Sequence, residues 1–157
     1  MRFFFKNSLL ITLLAFSLMF SLTTIGLAQD GTAQVGIFEP LEVAPGELVQ
    51  VAISVRDVQN LYGVDVMLEF DPALVQVVDA DASMSGVQAA LGDFLDPGLL
   101  LFNTADNTAG TYHFVMAQYN PSEPRSGEGV VLVITFKGVT EGVSNIKMTG
   151  LPLASRQ

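Results

Sequence analysis

The chain has 157 residues, with sixteen Asp plus Glu against seven Lys plus Arg, one histidine, no cysteine and no tryptophan. That length holds one ordinary domain, and the missing cysteines exclude a disulfide scaffold, a thiol nucleophile and any cysteine-ligated metal centre. A net charge of −9 repels a phosphate backbone, so nucleic acid is not an expected ligand.

Arg2 and Lys6 precede an uncharged run from Leu9 to Ala28. This is the basic start and apolar centre of a secretory signal peptide, and Gly26-Leu27-Ala28 places small residues at the −3 and −1 positions of a cut before Gln29. An uncleaved anchor is the rival reading, since the run is long enough to cross a bilayer. The Ser and Thr content of Ser21 to Thr24 and the small-residue exit favour cleavage. No cysteine follows the run, which excludes a lipid-anchored protein. Residues 1–28 are therefore expected to be a signal peptide and residues 29–157 an exported domain without further membrane association. Five bases (Arg56, Arg125, Lys137, Lys147 and Arg156) then face sixteen acids, a mature net charge of −11.

The exported part reads as strands. Pro45-Gly46 supplies a turn, and Val49 to Arg56 alternates strictly, with Val49, Val51, Ile53 and Val55 on one side of a half-buried strand. A second alternation sets Val64, Val66, Leu68 and Phe70 against Gly63, Asp65, Met67 and Glu69, and Asp71-Pro72 closes it, because the residue before proline is pushed from helical space. Leu74 to Val78 suits a turn of helix running into a strand, and Ser85 to Phe94 has mildly helical composition. Further strands are expected at Leu99 to Asn103, Tyr112 to Gln118, Val130 to Lys137 and Asn145 to Thr149. Gly, Pro, Asn and Asp clusters separate them. Short strands with no long helical period indicate an all-β fold, an antiparallel sandwich or jelly roll of about eight to nine strands.

Catalytic patterns are absent from this reading. His113 stands alone in a strand, which makes it structural rather than catalytic. Without a second histidine or a cysteine, a metal site would rest on carboxylates, which suit calcium; Asp79 with Asp81, Asp93 with Asp96, and Asp106 with Asn107 are candidate oxygen donors, but none follows a fixed ligand spacing. Asp65, Glu69 and Asp71 are explained as the solvent side of a strand and its closing turn rather than as a glycosidase pair. No serine sits in a nucleophile elbow and no Gly-rich phosphate loop occurs. The expected protein is a non-enzyme without cofactor or metal.

Parity suggests a binding face. If Val64 to Phe70 fill the core, then Gly63, Asp65, Met67 and Glu69 point outward. Counting back from the polar ends Gln118 and Lys137 adds Phe114, Met116 and Gln118 on one strand and Val131 and Val133 on another. Placed side by side, these residues make an apolar patch with a polar rim, the form of a protein-binding surface. The competing reading buries both sides of these strands, for instance beneath Ser85 to Phe94.

Several of these segments carry a likeness. Pro45-Gly46-Glu47 with the Val49 to Val55 strand, Asn60-Leu61-Tyr62-Gly63-Val64-Asp65, Leu68-Glu69-Phe70-Asp71-Pro72-Ala73-Leu74-Val75 and Gly129 to Gly138 resemble a cohesin domain over roughly Ala33 to Arg156. The resemblance implies a nine-stranded jelly-roll sandwich in a secreted or cell-surface bacterial protein, non-catalytic, binding a dockerin-like module in polysaccharide breakdown. It also implies that Asp65 is the outward aspartate of the docking face. Gln118 stands where the family has a contacting glutamate and Gly63 where it commonly has asparagine. Family members carry another strand after the stretch matching Gly150 to Arg156, so a sheet edge without its last strand is expected here. A carbohydrate-binding module of the same fold and a structural sandwich of a larger surface protein are the alternatives. A stacking sugar platform is disfavoured by the lack of tryptophan.

Overall fold

The computed structural model describes residues 34–36, 43–95, 99–150 and 153–155, all within the compact unit Gly31–Gln157. The expected signal peptide lies outside the described residues. Nine strands occur in chain order: β1 (Gln34–Gly36), β2 (Leu48–Glu69), β3 (Val75–Val78), β4 (Ala90–Leu91), β5 (Leu99–Asp106), β6 (Thr111–Ala117), β7 (Arg125–Gly138), β8 (Lys147–Gly150) and β9 (Leu153–Ser155). Their ladders are antiparallel, and the described residues contain no helix.

The two alternating runs at Val49 to Arg56 and Gly63 to Phe70 are one strand. Its first half pairs with β7, from Leu48 opposite Lys137 to Val55 opposite Gly129, and its second half pairs with β6, from Gly63 opposite Ala117 to Glu69 opposite Thr111. Between the halves the register with β7 shifts twice, and Asp57 and Asn60 take φ values of +54° and +52°. Asp and Asn tolerate that left-handed region better than other side-chain-bearing residues. Ser126 Oγ accepts the Asn60 N–H at 2.9 Å. The strand thereby turns a corner and serves two layers: β3, β7 and the first half of β2 on one side, the second half of β2, β6 and β5 on the other.

The inner faces of both layers make the core. Val51, Ile53 and Val55 meet Val64, Val66, Leu68, Tyr112, Phe114, Met116, Leu132, Ile134 and Phe136, all nearly inaccessible. Phe70 and Phe136 pack edge to face across the layers, with centroids 5.5 Å apart. Leu74 lies in a turn that leads into β3, as expected. Ser85 to Phe94 is not helical: it bends at both ends around the short strand β4. Asn103 explains this: its Oδ1 accepts the Ala89 N–H and its Nδ2 donates to the Ala89 carbonyl, at 3.0 and 2.9 Å, so one amide mimics a ladder partner. Asn107 does the same for Val77. The expected open edge is filled, because β8 and β9 pair along β2 from Leu61 to Glu69.

Candidate partner-binding face

The outer side of the second layer is built by two hairpin-linked strands, β5 and β6, beside β2. Their turn is set by Asp106, whose Oδ1 accepts the N–H groups of Thr108 and Ala109 at 2.8 and 2.9 Å. Gly110 closes it at φ +70°, where a Cβ would lie 2.2 Å from the Phe70 carbonyl oxygen. Below the sheet, Tyr112 donates its phenolic hydrogen to Asn103 Oδ1 at 2.7 Å, and burial pushes the phenol pKa up.

Register then places side chains in rows on one face. Gly63, Ala117 and Leu99 form one row; Asp65, Val115 and Phe102 the next; Met67, His113 and Thr104 a third; Glu69, Thr111 and Asp106 the last. Met67 is 42 % exposed, Leu99 45 %, Leu101 54 % and Phe102 51 %. Gly150 lies opposite Met67, and a Cβ there would meet Met67 Sδ at 3.1 Å. Lys147 lies opposite Glu69. At the centre, His113 Nε2 sits 3.0 Å from Asp65 Oδ1, and the Phe102 ring stacks on the imidazole at 4.7 Å with 15° between planes. The result is a sheet face with an apolar strip, the Asp65–His113 pair within it and acids at its far end.

Asp65, Met67 and Glu69 stand where parity put them, and Gly63 is on the same face as a buried glycine. The other expectations are corrected. Phe114 and Met116 are 0 % and 1 % exposed and point into the core, with Gln118 2 % exposed on the same side. Counting from Gln118 as an outward polar end inverted the strand. Volume decides the parity of β6: Tyr112, Phe114 and Met116 fill the space between layers, and His113, Val115 and Ala117 face out. Neither amide atom of Gln118 has a hydrogen-bond partner among the described residues.

Val131 and Val133 are corrected too, because β7 pairs with the first half of β2 and so belongs to the other layer. Val131 is the extra residue of a bulge, since Ile53 faces Leu132 while Ser54 faces Val130, and it is buried in the core. Val133 is half-buried opposite Ala52 and Ala90. The sequence reading missed His113, Val115, Phe102 and Leu99. Alternation of bulky and small apolar residues in β6 was the signal for the first two.

Of the acids considered for calcium, Asp96 lies outside the described residues, and Asp79, Asp81 and Asp106 make turns. Asp79 Oδ1 accepts the N–H groups of Asp81 and Gln88, and Asp81 Oδ1 accepts from Ser83 backbone and hydroxyl, which lowers the Asp81 pKa. Asp106 spends an oxygen in the same way.

An antiparallel jelly-roll sandwich with an outward, partly apolar sheet face defines the class to which this chain belongs. The cohesin domain family model matches residues 34–152, and the chain belongs to that family. Among solved structures it is similar to a type II cohesin domain from the cellulosome of Acetivibrio cellulolyticus, at 21 % identity and TM-score 0.62 over 76 % of each chain. A type I cohesin–dockerin complex from Clostridium thermocellum matches at 18 % identity and TM-score 0.62, covering 78 % of this chain and 84 % of that one. A non-cellulosomal cohesin from the archaeon Archaeoglobus fulgidus matches at 13 % identity and TM-score 0.61, over 80 % and 79 %. No curated protein matches.

Proposed function

We propose that this chain is an exported, non-catalytic docking module that binds a dockerin-type partner through the face of β2, β6 and β5. One observation carries the reading: Met67, Val115, Phe102 and Leu99 stand on one sheet surface around the Asp65–His113 pair. Large apolar groups exposed together on an exported domain favour association, and a sheet holds them in place at little ordering cost. Relatives of this fold crystallised with dockerins, and the basic apolar leader supports export. A role beside polysaccharide-degrading enzymes follows from that partner class.

The test is calorimetric titration of residues 29–157 with the dockerin modules of those matched complexes, beside affinity electrophoresis in cellulose- and xylan-derived polysaccharides. Binding of a dockerin that Val115→Glu abolishes, with the melting temperature unchanged, is the expected result. Polysaccharide retardation without dockerin binding overturns the proposal and favours the carbohydrate-binding alternative.

A further inference from the structure

The aspartate at the centre of the face is already engaged within its own sheet. An ionised carboxylate only accepts, so the 3.0 Å contact between His113 Nε2 and Asp65 Oδ1 requires Nε2 to carry the hydrogen and donate it. The imidazole is fixed in turn by the stacked ring of Phe102. These residues sit on β2, β6 and β5, on register diagonals about Val115, which lies opposite both Asp65 and Phe102. The row therefore runs across the face. Phe102 orients the imidazole, and the imidazole orients the carboxylate.

Among the described residues, His113 is the group bonded to Asp65, through Oδ1, and Oδ2 has no hydrogen-bond partner. Other charges on this face are Glu69 on β2, Asp106 on β5 and Lys147 on β8 opposite Glu69. Asp65 side chain is 34 % exposed and His113 28 %, so a partner reaches both. A carboxylate fixed before docking loses less rotamer freedom on binding than a mobile one.

We infer that His113 is a positioning residue of the docking face: it holds Asp65 as a pre-oriented acceptor offering Oδ2 to a donor on the partner. This rests on the docking reading above.

The experiment measures affinity for the dockerin module retained in the titrations above, at pH 8, for wild type, His113→Ala, His113→Gln, Asp65→Asn and the His113→Ala/Asp65→Asn double variant. Glutamine keeps a donor to Asp65. His113→Ala is expected to weaken binding about fivefold, the scale of one exposed polar pair, with His113→Gln close to wild type. In the Asp65→Asn background, His113→Ala should add nothing.

An equal His113→Ala effect with and without Asp65, or no rescue by His113→Gln, overturns the positioning role. A neutral His113→Ala does so as well. Those failures are separable from failure of the docking reading: if Val115→Glu leaves every dockerin interaction intact, the face itself is wrong and this inference falls with it.

Discussion

Replacing neighbouring residues Val115 and Met116 by alanine tests which side of β6 faces the core. Met116 is 1 % exposed, packed between the layers opposite Val64 and Leu100, whereas Val115 is half-buried on the outer face opposite Asp65. Met116→Ala removes three heavy-atom groups from the core, and at about 0.8 kcal/mol each the transfer loss is about 2.4 kcal/mol. The residual cavity raises the cost within the range of about 2–5 kcal/mol measured for such truncations. Val115→Ala removes two groups that already touch solvent, so about 1 kcal/mol or less is expected. For a domain of this size each kcal/mol moves the melting temperature by about 4 °C. Met116→Ala should therefore melt roughly 10–20 °C lower than wild type and Val115→Ala within about 4 °C of it. Differential scanning calorimetry at pH 7, with urea titration to confirm an unchanged m-value, gives the comparison. A larger loss for Val115→Ala would refute the core assignment and reinstate Met116 as a surface contact.

Asn103→Ala removes three hydrogen bonds, two to Ala89 and one from the Tyr112 hydroxyl. It should destabilise the domain by about 2–4 kcal/mol in chemical denaturation, because the buried phenol loses its acceptor, and hydrogen exchange should accelerate at Ala89 before the central strands. Gly110→Ala forces a Cβ against the Phe70 carbonyl oxygen at a φ of +70°; soluble expression falling sharply relative to Gly46→Ala, which meets nothing within 4 Å, is the expected outcome. Both of those glycines pay the same positive-φ penalty, so the difference isolates the clash. The N–H groups of Thr108 and Ala109 lower the Asp106 pKa below 3.8. Its stabilising contribution is thus present above the unfolded carboxylate value and lost as pH falls through the folded one. Denaturant midpoints of Asp106→Ala and wild type should differ at pH 7 and draw together as acid protonates the carboxylate; a gap that stays constant with pH would assign the effect to something other than ionisation.

The sandwich was legible because Val49 to Arg56 and Gly63 to Phe70 alternate polar with apolar, and because Pro45-Gly46 and Asp71-Pro72 mark turns. Their union into one 22-residue strand was not. Asp57 to Tyr62 reads as a break, yet Asp57 and Asn60 carry the chain round a corner without leaving the ladders. Parity was legible in β2, where one side is Asp65 and Glu69, and illegible in β6, where both sides are mostly apolar and only packing volume separates them. The bulge at Val131 is invisible to any strict period of two. His113 looked structural because its partner Asp65 is 48 positions away and meets it only through the β2–β6 register. Asn103 read as the end of a strand and Asn107 as part of a turn, while in the fold their side-chain amides extend the sheet.

The central claim is that the outer face of β2, β6 and β5 is the docking surface. Amide chemical-shift mapping of residues 29–157, titrated with a retained dockerin module, tests it most directly. The account predicts that the largest changes fall on Asp65, Met67, Phe102, His113 and Val115, which share one face by register. Changes concentrated instead on Gln50, Gln76, Val133 and Lys137, on strands of the other layer, would contradict it.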